Sequence, residues 1–416
     1  MELHDFFLAL ALVLLGARLL GETASRLGIP AVIGELAAGL ILGPSLLGWV
    51  SSSAPLEILA EIGIILLLFE VGMNTDVYRL ARTGTKPVFV AITGFVLPFA
   101  FGAGVSWYGF ELPLMASLFI GGTLTATSIG ITVRVLADLR QGSSDEAQII
   151  IGAAVLDDIL GVLALAFLYQ FAIIGEVTPT SVGQVSLYIF MFVALAPVTA
   201  KLVAYVIDHY DRRSASPGLL VTMVVCLIML FSYLAHLAGA PLILGGFAVG
   251  IAMGQRFRLR VAQHLRIPFS AAINRAMDAA PHLSEHLEDQ IRPLIRVFTP
   301  VFFVMVGVSL DLRTVDWGSA FVWKLASTLL VIAIVGKCLA GYCIRENRMR
   351  QAVIGLAMVP RGEVGLIFTQ VGLANGLLNT EAYAALLIVI ALTTALPPFA
   401  LKAIYARRHL KVAPGE

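Results

Sequence analysis

The chain reads as an all-α polytopic membrane protein with about thirteen transmembrane helices and an inverted internal repeat. Three observations carry that reading. Of the 416 residues, 59% are hydrophobic and 13% charged, against about 45–50% and about 25% in soluble domains. The apolar residues come in long blocks of Leu, Ile, Val, Ala and Phe divided by short polar breaks. Two halves of the chain repeat the same glycine landmarks in the same order.

A span needs about 20 apolar residues at 1.5 Å rise each. That rule predicts helices at about 5–26, 31–49, 55–75, 86–108, 113–138, 146–170, 183–207, 217–237, 241–255, 292–310, 320–343, 350–375 and 381–405. Met1 to Asp5 carry no basic residue and no small-residue cleavage site follows, so the first run is expected to be kept as a span rather than removed. Basic residues follow the odd-numbered spans: Arg79, Arg82 and Lys86, then Arg140, Arg212, Arg213, Arg256 to Arg275, Arg345 to Arg350, and Arg407 to Lys411. The other side has Arg313 and Lys324. The positive-inside rule therefore predicts an outside N-terminus and a cytoplasmic C-terminus.

The repeat is visible in Gly34-Glu-Leu-Ala-Ala-Gly39-Leu-Ile-Leu-Gly43, which returns as Gly245-Gly-Phe-Ala-Val-Gly250-Ile-Ala-Met-Gly254. Val71-Gly72 leading to Asp76 returns as Val306-Gly307 leading to Asp311, and Gly130 follows Gly72 at the separation at which Gly365 follows Gly307, 58 residues. The copies begin at the second and ninth spans, an odd number apart, so they are inverted in the membrane. The charged stretch 256–291 between them is expected to be a peripheral cytoplasmic loop, and 406–416 a short cytoplasmic tail.

Composition excludes several classes. A net charge of +1, from 28 basic and 27 acidic residues, gives no field for nucleic acid. Cys226, Cys338 and Cys343 are an odd, membrane-embedded set, expected to be packing residues rather than a disulfide framework. No cofactor motif is present. The partners to expect are a lipid bilayer and small ions.

The chemistry is expected where polar groups interrupt the spans. The fifth span reads Gly121-Gly-Thr-Leu-Thr125-Ala-Thr127-Ser128-Ile-Gly130. Its repeat mate, the twelfth, reads Met358-Val-Pro360-Arg361-Gly362-Glu363-Val-Gly365. Two helices broken at corresponding places point to an ion site near mid-membrane, because half-helix ends present backbone groups there. The bland alternative is a pair of kinks with Ser and Thr bonded back to their own helices. Freed carbonyls, hydroxyls and a carboxylate would suit a hard monovalent cation.

The sixth span carries Asp157 and Asp158 within Ala153-Ala-Val-Leu-Asp-Asp-Ile-Leu-Gly161. A charge at the helix centre costs about 2.5–3.5 kcal/mol on an insertion scale, so two together need a reason. Adjacent residues point about 100° apart, and the pair cannot form a face-to-face dyad as an aspartyl protease requires. Lys337, in Ile332-Ala-Ile-Val-Gly-Lys-Cys-Leu-Ala-Gly341, lies deep in the eleventh span and is available as a fixed partner. Arg361 and Glu363 can pair or compensate the crossing half-helix ends. Glu35 and Glu70 are lone carboxylates that would line a vestibule, Glu22 is spaced to pair with Arg18, and the histidines sit near span ends or in the long loop. No Thr-Val-Gly-Tyr-Gly filter marks a potassium channel, and a scaffold would need none of these charges.

The segments 34–45, Thr125-Ala-Thr-Ser-Ile-Gly130, Leu156-Asp-Asp-Ile-Leu-Gly161, Val335-Gly-Lys337 and Pro360-Arg-Gly-Glu-Val-Gly-Leu-Ile367, in combination, resemble the bacterial sodium/proton antiporters of the monovalent cation:proton antiporter-2 family. The likeness spans about 5–405. It implies a homodimer in the plasma membrane, with a core of spans about 55–170 and 292–375 that slides against a dimerisation scaffold of spans about 5–49, 183–255 and 381–405. It also implies that the two broken helices cross. Asp158 then matches the alternating cation and proton carrier, Asp157 its neighbour paired with Lys337, and Thr127 and Ser128 the ligands of the unwound segment, with Thr125, Pro360, Arg361 and Glu363 supporting the crossing. Sodium, with lithium, is the implied cation. A potassium/proton exchanger or potassium-efflux transporter of the same family is the alternative, followed by an organic-anion symporter on the same superfold. Efflux relatives usually add a cytoplasmic nucleotide-binding domain and often have Gln in place of Asp157, which disfavours that variant.

Overall fold

Helices account for the regular structure throughout the described residues of this computed structural model: 3–27, 29–74, 83–169, 219–254 and 280–412, with a few further positions between 171 and 200. They are α1 (Leu3–Arg26), α2 (Ala31–Leu42), α3 (Ala54–Asn74), α4 (Lys86–Gly104, continued by a π turn over Val105–Gly109), α5 (Leu114–Thr125), α6 (Ile129–Asp138), α7 (Asp145–Tyr169), α8 (Leu219–Leu237), α9 (Ile243–Met253), α10 (Ala280–Ser309), α11 (Ala320–Tyr342), α12 (Arg348–Ala357), α13 (Glu363–Ala374) and α14 (Thr380–Val412). Among the described residues, eight helical segments are long and apolar enough to cross a membrane, and Ala31–Leu42, Ile243–Met253 and Val364–Ala374 are shorter apolar helices. The chain is a multi-pass membrane protein. The expected span at 183–207 and the loop over 256–279 fall outside the described residues, apart from isolated helical positions in the former.

Local chemistry sets the helix ends. Pro30 and Pro113 precede α2 and α5. The Ser319 hydroxyl accepts the Val322 N–H at 3.3 Å, and the Asn347 and Asn379 side chains accept the N–H groups of Arg350 and Ala382 at 2.8 Å, satisfying donors that open helices leave bare. Several boundaries differ from those read from hydropathy. The helix from 31 stops at Leu42 rather than 49, because Gly43 and Pro44 end it. α10 begins at Ala280, so the stretch expected as loop to 291 is helical in its last part. Polar residues 282–290 hid that turn from a hydropathy window, and Pro281 stands where its missing N–H costs nothing. α14 likewise runs through Val412 into the expected tail. Glu22 pairs with Arg26, at 2.9 Å. The cysteines are free, and Cys226 and Cys343 are exposed rather than packed.

The chain forms two compact units, one of residues 1–58, 85–178 and 300–416, the other of 59–84 and 179–299. In the first, Gly39 and Gly307 lie so close that a methyl on Gly39 would collide with the Val304 carbonyl, and one on Gly307 with the Leu36 carbonyl. In the second, a methyl on Gly250 would collide with the Phe69 carbonyl, and one on Gly72 with that of Phe247. Gly39 corresponds to Gly250 and Gly307 to Gly72 in the repeat. Both copies therefore use the same backbone-to-backbone crossing, possible only for glycine.

Within the first unit, α5, α11, α13 and α14 share a core built from Phe119, Leu124, Leu325, Leu329, Phe368 and Leu386. Phe119 and Phe368 meet edge-on at 6.3 Å and pin half-helix α5 to half-helix α13. At one end of this unit, Lys86 Nζ lies 2.6 Å from Glu346 Oε1, and Arg350 joins Glu346 at 3.3 Å, Asp145 at 3.5 Å and Glu146 at 3.6 Å. The starts of α4, α7 and α12 are thereby tied together. Hydrogen bonds from Lys86 and then Arg350 hold the Glu346 carboxyl below the usual carboxylate range, against its partial burial. Folding therefore favours ionised Glu346, a contribution complete above the ordinary carboxylate range and lost as pH falls through the lowered folded value. Thermal unfolding in detergent is expected to show a shallower acid-side loss for Glu346→Gln than for the unsubstituted protein; equal slopes would contradict this.

Candidate functional site

All the central residues of the site lie in the first unit. α5 and α6 are separated by the extended residues Ala126 to Ser128, and α12 and α13 by Met358 to Gly362. The two interruptions bond to each other. The Ser128 N–H donates to the Pro360 carbonyl at 2.8 Å, the Thr127 hydroxyl to that of Met358 at 2.9 Å and the Thr132 hydroxyl to that of Ala357 at 2.8 Å. A helix broken inside a membrane needs new partners for its freed groups, and here each broken helix supplies them to the other.

Arg361 completes the crossing. Its side chain is buried, Nη1 donates to the Val359 carbonyl at 3.1 Å and to that of Met358 at 3.3 Å, and Nη2 donates to the Leu124 carbonyl. The Thr394 hydroxyl on α14 donates to the Arg361 carbonyl at 2.6 Å. The guanidinium thus faces the carbonyl ends of α5 and α12, where the two helix dipoles are negative. Its place against three carbonyls fits the compensation of half-helix ends that the sequence left open. The Glu363 side chain lies outside the described residues. Thr125 donates back to Gly122 at 2.7 Å, the local bond typical of threonine in a membrane helix.

Lys337 on α11 reaches Asp157 on α7, with Nζ 2.8 Å from Oδ2, and both side chains are 0% exposed. The local sequence of α4 makes the space. Gly94 has no side chain, and a methyl there would stand 3.3 Å from Lys337 Cδ and 3.5 Å from Nζ. Pro98 lies one turn on and packs against Gly336. Asp158, the next residue of α7, is 1% exposed. The Asp157 Oδ1 and the Ser128 hydroxyl are buried and make no hydrogen bond among the described residues. Gly362 faces Ser128: a methyl on it would stand 2.6 Å from the hydroxyl oxygen and 2.7 Å from Cβ. Gly362→Ala is therefore expected to displace the Ser128 side chain and change the relative use of sodium, lithium and potassium. Transport KM measured for each ion checks this, and unchanged ratios would contradict it.

These contacts narrow the oxygen set expected for a cation. The carbonyls of Leu124 and of Ala357 to Pro360 already accept hydrogen bonds. Among the described residues, the Ser128 hydroxyl and Asp157 Oδ1 are buried side-chain oxygens without a hydrogen bond. Glu35 is placed elsewhere in the unit, 3.5 Å from Arg134 of α6. Arg134 also lies 3.5 Å from Asp138, whose other oxygen accepts the Ala31 N–H at the start of α2 at 3.0 Å. Glu70 lies on α3 in the second unit. Thr132, Thr394 and Gly94 were not singled out by the sequence. The pairing of Gly94 with Pro98 one turn later was the readable signal for one of them.

Known proteins share this architecture. Residues 10–407 match the family described as sodium/hydrogen exchanger, transmembrane. The high-affinity Na+/H+ antiporter NhaS3 of Synechocystis sp. is 31% identical, over 99% of this chain and 92% of its own. The Na+/H+-K+ antiporter GerN of Bacillus cereus is 32% identical, over 96% of each chain. The solved structure of the sodium proton antiporter MjNhaP1 from Methanocaldococcus jannaschii at pH 8 superposes with a TM-score of 0.66 at 18% identity, covering 99% of this chain and all of that one, which shows the shared fold. With two broken helices crossing beside a buried lysine–aspartate pair, and with the family match running through nearly all its spans, the chain belongs to the sodium/hydrogen exchangers, which are transporters rather than enzymes.

Proposed function

We propose that this protein exchanges sodium for protons across the membrane and that Asp158 carries each in turn. The observation that carries the reading is the buried, unbonded Ser128 hydroxyl beside a crossing whose Leu124 and Ala357 to Pro360 carbonyls are already engaged. A carboxylate that is either protonated or cation-bound cannot hold both, and that competition couples the two fluxes without a further device. Asp157 supplies a second carboxylate already bound to Lys337. A sodium ion drawing Asp157 away from Lys337 would release the ammonium to give up a proton, so two protons would move per sodium and transport would carry current.

Proton movement in liposomes with a preset pH gradient tests the exchange. Sodium, lithium, potassium and choline chlorides are added in turn. Dissipation by sodium, with lithium, is the expected result, and silence toward every cation in folded protein would refute it. The second reading is potassium exchange, favoured by the name of GerN; dissipation by potassium alone would select it.

Transport is proposed to proceed by an elevator movement of a homodimer in the plasma membrane, with the C-terminus cytoplasmic. α2 belongs to the proposed scaffold and α6 to the proposed core, and the Asp138 carboxylate is 3.0 Å from the Ala31 N–H. That contact has to break in each cycle if the core slides. A cysteine-substituted pair, Ala31→Cys with Asp138→Cys in protein lacking its native cysteines, is expected to lose exchange when cross-linked and regain it on reduction. Exchange that continues in the cross-linked protein would exclude movement between α2 and α6.

A further inference from the structure

We infer that Arg361 is a specificity-determining residue: its guanidinium stands as a tethered cation in the carbonyl cage of the crossing and confines the mobile cation to the Ser128, Asp157 and Asp158 side. The inference deepens the reading of Asp158 as cation carrier and rests on it.

Breaking two helices at one depth frees carbonyl oxygens at their negative ends, the groups that bind hard monovalent cations in broken-helix transporters. Three of those oxygens, from Leu124 on one segment and Met358 and Val359 on the other, converge on Arg361. Both terminal nitrogens are used, the residue is fully buried, and Thr394 holds its backbone. A side chain serving only to fill space would not need three hydrogen bonds to carbonyls. One serving only to neutralise charge would not need contact with both segments. The carbonyls of Pro360, Met358 and Ala357 also accept from neutral donors, the Ser128 N–H and the Thr127 and Thr132 hydroxyls. A sodium ion entering the cage would have to displace a permanent positive charge that cannot deprotonate in a protein. The unbonded Ser128 hydroxyl and Asp157 Oδ1, and the Asp158 carboxylate proposed as carrier, are not among the oxygens that the guanidinium holds, and the site then admits one mobile cation.

Removal of the charge while the carbonyls remain should turn the cage into a second cation site. The experiment counts sodium bound per protomer, with radioactive sodium and purified protein, for the unsubstituted protein, Asp158→Asn, Arg361→Ala and the double variant. One sodium is expected in the unsubstituted protein and none in Asp158→Asn. Two are expected in Arg361→Ala, and one in the double variant, displaced by guanidinium chloride but not by choline chloride. If Arg361→Ala does not fold, as thermal unfolding shows, the count is made on Arg361→Gln, which keeps an amide donor but no charge. Arg361→Lys, which keeps the charge, should bind one sodium.

No gain of sodium on removing Arg361, in folded protein with or without Asp158, would overturn the inference. A sodium still bound by Asp158→Asn alone would instead overturn the reading of Asp158. The role of Arg361 would then be judged by whether its removal adds one more. A merely structural role would lower stability in all three Arg361 variants without changing the count.

Discussion

Asp158→Asn is expected to reduce sodium-driven proton movement in liposomes to that of protein-free liposomes while leaving the protein folded. Asparagine keeps the size of the side chain and loses the charge. The side chain sits on α7 and is 1% exposed, so the change removes a charge from a dry site and leaves a neutral amide, which adds no electrostatic penalty to the fold. The Leu124 carbonyl and those of residues 357–360 already accept hydrogen bonds and are not ready to replace the lost oxygen charge. Sodium-driven proton movement that persists at the unsubstituted rate would remove Asp158 from the carrier role.

Lys337→Gln is expected to have the largest effect on stability. Removing one partner of a buried ion pair leaves the other uncompensated, at a cost of about 3–5 kcal/mol. Asp157 is 0% exposed and its Oδ1 already lacks a hydrogen bond, so the stranded carboxylate has little to turn to. The double variant Asp157→Asn, Lys337→Gln should recover most of the loss, because the penalty belongs to the unpaired charge rather than to the missing contact. Thermal unfolding in detergent checks both, and a single variant as stable as the double would contradict the account. Transport current separates the second role of the lysine. Where Lys337→Gln remains folded, sodium exchange is expected to continue with less charge moved per ion, and unchanged current would take Lys337 out of the charge count.

The parts legible in the sequence are those written in residue types. Buried charges stand out in apolar runs, which is why Asp157, Asp158 and Lys337 could be named before any contact was known. The helix breaks were readable from Thr127-Ser128 and Pro360 to Gly362 at matching places in the repeat. The crossing glycines were readable as a pair of motifs, and both copies of that contact are present. What the sequence withheld is carried by the backbone. The acceptor of Arg361 on α5 is the Leu124 carbonyl, 237 positions away, and every residue has a carbonyl. The same holds for Thr132 and Ala357, 225 positions apart. The contact of Glu35 with Arg134 depends on how α2 and α6 come together, which no local pattern specifies. Helix ends beyond the apolar blocks, at Ala280 and Val412, were hidden because hydropathy marks the membrane rather than the helix.

The central claim is that one carboxylate holds either the cation or the proton. Calorimetric titration of the purified protein with sodium chloride, in buffers of different ionisation enthalpy, measures it most directly because the apparent heat then reports protons released per sodium bound. The account predicts proton release on sodium binding in the unsubstituted protein and neither binding nor release in Asp158→Asn. Sodium binding whose heat is the same in every buffer would mean that the ion displaces no proton, and the exchange would need a different carrier.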